Sequence, residues 1–186
     1  MIPIPAWNSL HPLIVHFPIA LLMVAPILMI VGLLVKREQA FLTSALIVMA
    51  LGTTGAWLAV ATGQAAGHLA EGFPGVERLL ERHEEMAETA RTMFTVLTLV
   101  FAALLTIPWA LKREPPRMAR LGSYGALLAV YAGALVYLAN TAHQGGRLVH
   151  ERGVHASVAP GASRPIPREV GRGRSGAEHA AASHDD

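Results

Sequence analysis

Residues 13–35 read LIVHFPIALLMVAPILMIVGLLV, a run with no Asp, Glu, Lys or Arg. A helix rises about 1.5 Å per residue, so this run is long enough to cross the hydrocarbon layer of a membrane, which is about 30 Å thick. Three further uncharged runs cover residues 41–62, 92–111 and 121–140. One buried helix of a soluble protein can be this apolar, but four in 186 residues indicate a membrane protein.

The spacing of these runs predicts an all-α fold, an integral membrane four-helix antiparallel bundle. Short connections follow the first and third runs, and these favour antiparallel neighbours. The expected helices cover residues about 12–35, 41–63, 76–111 and 119–143. The third helix extends beyond the bilayer, because the charged segment before residue 92 keeps the periodicity of an amphipathic helix. We expect a transmembrane domain over residues 1–155 and a disordered tail, rich in Gly, Pro, Ala and Ser, over 156–186.

The charges of the connections predict the orientation in the membrane. Two short connections hold a cluster of cations: Lys36, Arg37, Lys112, Arg113, Arg117 and Arg120. By the positive-inside rule, this end faces the cytoplasm of the bacterial inner membrane, and both termini of the multi-pass chain are periplasmic. Residues 1–9 lack the positively charged segment of a cleavable signal peptide, so the first helix is expected to remain as an anchor. The chain has no signature of nucleic-acid binding.

The histidines are concentrated at the other, periplasmic end of the predicted bundle. His11 and His16 lie at the start of helix 1, His83 on the extension of helix 3, and His143 at the end of helix 4. His16 lies inside an apolar run, where an ionisable side chain is a functional candidate by default. His83 interrupts an apolar stripe, where a polar group without a partner costs about 1–3 kcal/mol. Counting along the helices puts His16 level with His143, so His16, His83 and His143 are predicted to share a ligand.

Other residues near these histidines are candidates to assist a bound cofactor. A small-residue face of helix 4 leads up to Asn140 and leaves room for a closely packed helix or for a flat macrocycle inside the bundle. Two adjacent glycines after His143 let the backbone approach a ligand, and two arginines lie near the height of haem propionates. The candidate cofactor-binding residues are His11, His16, His83, His143, Asn140, Arg91, Gly145, Gly146 and Arg147, with His16, His83 and His143 as metal ligands.

Three histidine-containing segments carry specific motifs. They read HPLIVHFPIAL at 11–21, LERHEEMA at 80–87 and HQGGRLVHERGV at 143–154. With these segments the chain resembles, over residues 10–154, a bacterial family of predicted four-helix membrane proteins of unknown function, through the motifs HPxxVHFPIAL and HxGGxLVxxxGV. The resemblance implies the four-helix topology and marks His11, His16, His83 and His143, but it implies no activity. One departure is His150, which stands where the family usually has Tyr.

A histidine-ligated haem is the cofactor that these residues favour. Imidazole is a usual axial ligand of b-type haem, and facing helices can hold a haem without a covalent link. The chain has no cysteine, which excludes thioether attachment and iron–sulfur clusters. We therefore expect a membrane-bound b-type cytochrome with one or more haems near the periplasmic face, ligated by His16 with His143 or by His83 with either.

Such a protein transfers electrons, for example between a quinone and a periplasmic carrier. We expect a homo-oligomer or a subunit of a larger membrane complex in the lipid bilayer, rather than a stand-alone enzyme. Two other functions stay open on the sequence. One is a non-haem copper, zinc or iron site that combines histidines with Glu81, Glu84 or Glu85. The other is a cofactor-free scaffold or assembly subunit, in which the histidines bond to one another and to backbone carbonyls.

Overall fold

The computed structural model describes residue 7 and residues 10–70, 75–113 and 115–151, without the side chains of 68–70. Its helices are α1 (His11–Ile14), α2 (His16–Leu34), α3 (Glu38–Ala70), α4 (Glu77–Ala110) and α5 (Arg117–His150). Helices α1 and α2 form one span, and four spans are long and apolar enough to cross a membrane. No β-strand occurs among the described residues. The prediction of an all-α, four-helix membrane protein is confirmed, and the tail predicted at 156–186 lies outside the described residues.

A proline separates α1 from α2 without ending the span. Pro18 has no amide hydrogen, so the carbonyl of Ile14 lacks its usual donor four residues later. The amide of Val15 still donates to the carbonyl of His11 at 3.0 Å, and Val15 keeps helical dihedral angles. His11 therefore continues the first span and is not part of a loose N-terminal segment.

The last three helices are longer than a bilayer requires. They contain 33, 34 and 34 residues, which corresponds to about 50 Å each, or about 20 Å more than the hydrocarbon layer. The extension that the sequence predicts for α4 is shared by its neighbours, since α3 continues to Ala70 and α5 to His150. The start of α4 contributes to a separate apolar cluster with α5, which consists of Val76 and Leu148 with Leu79 and Leu80 packed against them. The apolar stripe on this part of α4 is thus covered by protein.

The four spans form a closed ring around one apolar core. Helix α2 packs on α3, α3 on α4 and α4 on α5, and α5 returns to contact α2. The core contains the fully buried Phe94, Phe101 and Tyr131. Many large apolar residues point outward instead, among them Leu34 at 80% exposed and Leu99 at 65%. Lipid contact requires an apolar outer surface, and each span buries its opposite face in the ring.

Tyr131 repairs a hydrogen bond that a proline removes. In a regular helix the carbonyl of Leu22 accepts from the amide of residue 26, but Pro26 has no such donor. The buried hydroxyl of Tyr131 donates to this carbonyl at 2.7 Å. Its ring packs edge-on against Phe94 with centroids 5.4 Å apart. A proline in the membrane is tolerated here because a neighbouring helix satisfies the freed carbonyl.

Replacing Tyr131 by Phe should therefore lower stability. The change leaves the Leu22 carbonyl buried without a partner, and we expect the free energy of unfolding to fall by about 1–3 kcal/mol. Thermal unfolding in detergent, followed by circular dichroism, measures it. Tyr137→Phe is the matched control, because the Tyr137 hydroxyl makes no hydrogen bond within the described residues. Equal midpoints for the two variants would contradict the assigned role of Tyr131.

The two ends of the bundle differ in chemistry. At the basic end, defined by Lys36, Arg37, Lys112, Arg113, Arg117 and Arg120, Arg120 Nη2 lies 3.1 Å from Glu38 Oε2. This ion pair joins the first residues of α3 and α5, so both helices start at the same end and α4, between them in sequence, runs the opposite way. The other end, where α4 begins, is called the histidine end below. The predicted antiparallel arrangement follows from this geometry.

The small-residue face of α5 does not line the interior, and the expectation that it does is wrong. Gly122, Ala126, Ala129 and Gly133 are all exposed, and a Cβ added at Gly122 or Gly133 would meet no atom within 4 Å. The reason is rotational: the core side of α5 is set by its large residues, such as Tyr131 and Leu127. The small face lies on the opposite side of the helix.

Candidate functional site

His11 faces the inside of the histidine end. Along its helical span it lies within about 20° of the fully buried Leu22, since eleven residues complete slightly more than three whole turns. Its Nδ1 lies 2.9 Å from the carbonyl oxygen of Ala59 on α3. A carbonyl only accepts, so Nδ1 carries the hydrogen and Nε2 keeps its lone pair. The hydroxyl of Thr62 lies 3.5 Å from the same Nδ1.

His83 is held in the same way by a different helix. It continues the buried face of α4 that includes Ala90 and Phe94, and it is half-buried. Its Nδ1 donates to the carbonyl of Thr141 on α5 at 3.1 Å. The partner that a polar group in this apolar stripe requires is therefore a backbone carbonyl, and Nε2 of His83 keeps its lone pair as well.

A glycine leaves room for the imidazole in each of these two contacts. A Cβ added at Gly63 would lie 3.1 Å from Cε1 of His11, and one added at Gly145 would lie 2.9 Å from Cε1 of His83. Each glycine comes four residues after the carbonyl that its histidine uses, on the same face of the helix. Both imidazoles thus dock on a neighbouring helix at two points, a carbonyl and the glycine one turn further along.

The two imidazoles form a pair of available ligands. They lie near enough for a charge on His11 to act on His83. In the described part of the chain, no hydrogen bond reaches Nε2 of either ring. Metal-bound histidines commonly donate their other ring nitrogen to a carbonyl, which fixes the tautomer and the orientation of the ring. The histidine end therefore presents two oriented Nε2 lone pairs from separate helices.

The structure does not bring the other predicted ligands to this pair. His16 is exposed and its Nδ1 donates to the carbonyl of Pro12 in its own span at 2.9 Å. His143 and Asn140 are also exposed. His16 lies about 140° around the helix from His11, and His143 about 120° from Tyr131, so both point away from the core. No hydrogen bond joins His16 or His143 to His83.

The two predicted arginines differ in whether their guanidinium keeps an unpaired hydrogen-bond donor. The guanidinium of Arg91 lies 4.2 Å from the centre of the Trp57 ring, and its buried Nε has no hydrogen-bond partner among the residues described. Arg147 is engaged on its own helix, where Nε donates to Glu151 at 2.9 Å and Nη1 to Gln144 at 3.2 Å. Arg91 therefore has a free donor, about 12 Å along α4 from His83.

Polar pairs fix the position of α3 against α4 below the histidines. The hydroxyls of Thr53 and Thr98 are 2.8 Å apart. Trp57 Nε1 donates to the Thr95 hydroxyl at 3.1 Å. Closer to the histidine end, Gln64 donates to Glu88 at 2.7 Å. Directional bonds at three levels resist sliding of one helix along the other, and so they set the height of Ala59 and Gly63 relative to His83.

The described residues offer two ligands, and not the larger set that a bare metal ion needs. No group of three or more His, Asp or Glu side chains within the described ranges is placed to hold a metal ion. At Gly146, predicted together with Gly145, an added Cβ would meet nothing within 4 Å, so no imidazole docks there. Of the paired glycines, the structure thus assigns only Gly145 to the site.

Gly63 and Thr141 are not among the site residues predicted from the sequence, and His11 is predicted as a cofactor-binding residue but not as a metal ligand. A usable signal exists for His11: the spacing from His11 to Pro18, Leu22, Ala25 and Met29 is that of one continuous buried face. No comparable signal identifies Thr141, because its carbonyl and not its side chain makes the contact.

Comparison with known proteins identifies the family of the chain. The model of the family described as "Predicted membrane protein (DUF2231)" matches residues 8–158. The chain therefore belongs to this family, as its motifs predict. Neither the curated proteins nor the solved structures include a significant match to the chain.

Proposed function

We propose that this member of a family of predicted membrane proteins is a membrane-bound b-type cytochrome whose haem iron is ligated by His11 and His83. One observation carries the proposal. The two imidazoles are anchored through Nδ1 to carbonyls of two different helices, and this leaves both Nε2 atoms uncommitted at one end of the bundle. His11 with His83 replaces the axial pairs that the sequence alone favours.

The number of donors supports haem over a bare metal ion. A structural zinc site takes four protein ligands, and a catalytic one takes three. The porphyrin supplies the equatorial nitrogens of haem iron, so the protein has to supply only axial ligands. Two neutral imidazoles match this requirement, and the described residues offer no set of three. Haem, when bound, supplies one-electron transfer.

The residues around the pair have separate tasks in this proposal. The carbonyls of Ala59 and Thr141 hold the Nδ1 hydrogens, which orients the rings and raises the basicity of Nε2. Gly63 and Gly145 give the rings access to those carbonyls. Arg91, whose guanidinium lies over the Trp57 ring, would supply positive charge for an anionic group such as a haem propionate.

The charge distribution supports a periplasmic site. Lys and Arg are concentrated at the basic end, which the positive-inside rule assigns to the cytoplasm of the bacterial inner membrane. The histidine end and both termini then lie on the periplasmic side. Electron exchange would occur there, with a quinone or a periplasmic electron carrier as the partner.

An optical spectrum of the purified protein tests the proposal. We expect a Soret band and, after dithionite reduction, the sharp α band of a six-coordinate b-type haem, with about one haem per chain if the pair is the single site. Haemin added to protein purified without cofactor should restore the same spectrum. A protein that stays colourless with haemin, or that carries stoichiometric copper, zinc or iron without a Soret band, would refute a cytochrome.

A further inference from the structure

A wide groove opens at the basic end, far from the histidines. It lies between the start of α3, the end of α4 and the start of α5 and has a volume of about 1500 Å³. Its cationic lining residues are Lys36, Arg37, Lys112, Arg113 and Arg120. Among the described residues, Glu38 is the one carboxylate in the lining, and it is already paired with Arg120. The described lining therefore has an excess of positive charge.

The lower wall of the groove is apolar. Leu42 of α3 and Val100, Leu104 and Ile107 of α4 line it alongside the cations. Tyr124, which also lines the groove, packs edge-on against Phe101 with ring centroids 6.1 Å apart. An anionic group held at the rim would thus continue into a surface suited to hydrocarbon, which is the pattern of an amphiphile and not of a free ion.

Two features indicate that the rim is shaped for an anion. The buried Nε of Arg120 has no hydrogen-bond partner among the described residues, although Nη2 of the same side chain is paired. Lys112 adopts a φ of 51°, in the left-handed region where glycine is preferred.

That conformation ends α4 in a regular way. The amide of Arg113 donates to the carbonyl of Pro108 at 3.0 Å, and the amide of Lys112 to Trp109 at 3.2 Å. These are the two bonds of a Schellman turn, in which the left-handed residue is usually Gly. A lysine at this position gives up local stability and brings a cation to the groove instead.

The geometry points to a binding site for an anionic phospholipid in this groove, with the phosphate at the Lys112–Arg113 rim and an acyl chain along the wall of α4. Basic pockets between transmembrane helices are suited to anionic headgroups, and each added cation strengthens such binding about fivefold. The site is independent of the histidine pair, since it lies at the opposite end of the bundle.

Thermal unfolding of delipidated protein in a non-ionic detergent tests this assignment. Phosphatidylglycerol should raise the unfolding midpoint, and phosphatidylcholine with the same acyl chains should not. Lys112→Asn with Arg113→Gln should raise the phosphatidylglycerol concentration that gives the half-maximal shift about 25-fold, that is, fivefold for each charge. Asparagine is chosen at 112 because it tolerates the left-handed conformation. Arg117→Gln is the matched control, because Arg117 is exposed at the same end and does not line the groove.

Three results would overturn the assignment. They are equal stabilisation by the two lipids, a loss in the Arg117→Gln control as large as in the double variant, and full stabilisation by inorganic phosphate alone. A single Lys112→Gly variant gives a separate check, since it relaxes the turn while removing one charge. We expect it to unfold at a higher temperature than the wild type without lipid and to respond less to phosphatidylglycerol. A full lipid response in this variant would also contradict the site.

Discussion

We expect His83→Ala to abolish the proposed haem binding and His143→Ala to retain it. His83 is half-buried and anchored through Nδ1 to α5, which leaves its Nε2 without a hydrogen bond among the described residues, whereas His143 is exposed on α5. Loss of an outer-shell partner alone weakens metal binding on the order of 10- to 100-fold, so loss of the ligand itself should exceed about 100-fold. Haem titration of the purified variants, followed at the Soret band, measures the difference.

The same contrast holds at the first span. His11→Ala should weaken haem binding like His83→Ala, and His16→Ala should behave like the wild type, since His16 is exposed and bonded within its own span. Helix content by circular dichroism and the elution volume in size-exclusion chromatography show whether each variant is folded. Loss of haem in His16→Ala or His143→Ala, with retention in His11→Ala, would return the ligand assignment to the pairs that the sequence favours.

We expect Gly145→Ala to weaken the proposed haem binding on the order of 10- to 100-fold and Gly146→Ala to leave it unchanged. A methyl group at 145 would lie 2.9 Å from Cε1 of His83, so the ring would have to shift relative to the Thr141 carbonyl that orients it. At 146 a methyl group meets nothing within 4 Å. Alanine is the better helix former at both positions by about 1 kcal/mol, so any loss at 145 comes from the contact and not from the helix.

Comparison of these two adjacent substitutions isolates the docking of the imidazole. Each variant changes one hydrogen to one methyl group, in the same helix and next to each other. Haem affinity is measured by titration, and thermal stability without haem is the control readout. Identical haem affinities for Gly145→Ala and Gly146→Ala would show that access of His83 to the carbonyl does not matter.

The fold could be predicted from the sequence because its determinants are local and strong. Each apolar run, such as residues 13–35, carries its own signal, and in a membrane every backbone polar group has to be satisfied within a helix. The helix ends were harder to predict. Helix α5 continues to His150 past the predicted end at 143, because beyond the apolar run no sharp boundary such as a proline stops a helix that packs on α4.

The site could be predicted only in part, because helix rotation decides which histidines meet. All four predicted histidines lie at the histidine end, as their positions in the chain indicate: His11, His16, His83 and His143. Counting along an axis gives heights, but the direction of a side chain depends on which face packs inward. The large residues of α5 turn its small face, and His143 with it, toward the outside.

The docking of each imidazole on a carbonyl and a glycine could not be predicted from the sequence. Ala59 and Gly63 lie on α3, and Thr141 and Gly145 lie on α5. A glycine four residues after any residue is a common pattern, and it becomes a site only when a histidine from another helix arrives at the same height. That height depends on the register between helices, which is set by long-range polar pairs such as Thr53 with Thr98.

The spin state of the ferric haem protein tests the proposal that His11 and His83 hold one haem between them. Electron paramagnetic resonance of the oxidised wild type should show a low-spin, six-coordinate iron, because two imidazoles give a strong axial field. His11→Ala and His83→Ala, reconstituted with excess haemin, should each show high-spin iron or no specific signal. A low-spin signal that persists unchanged in both variants would contradict the claim.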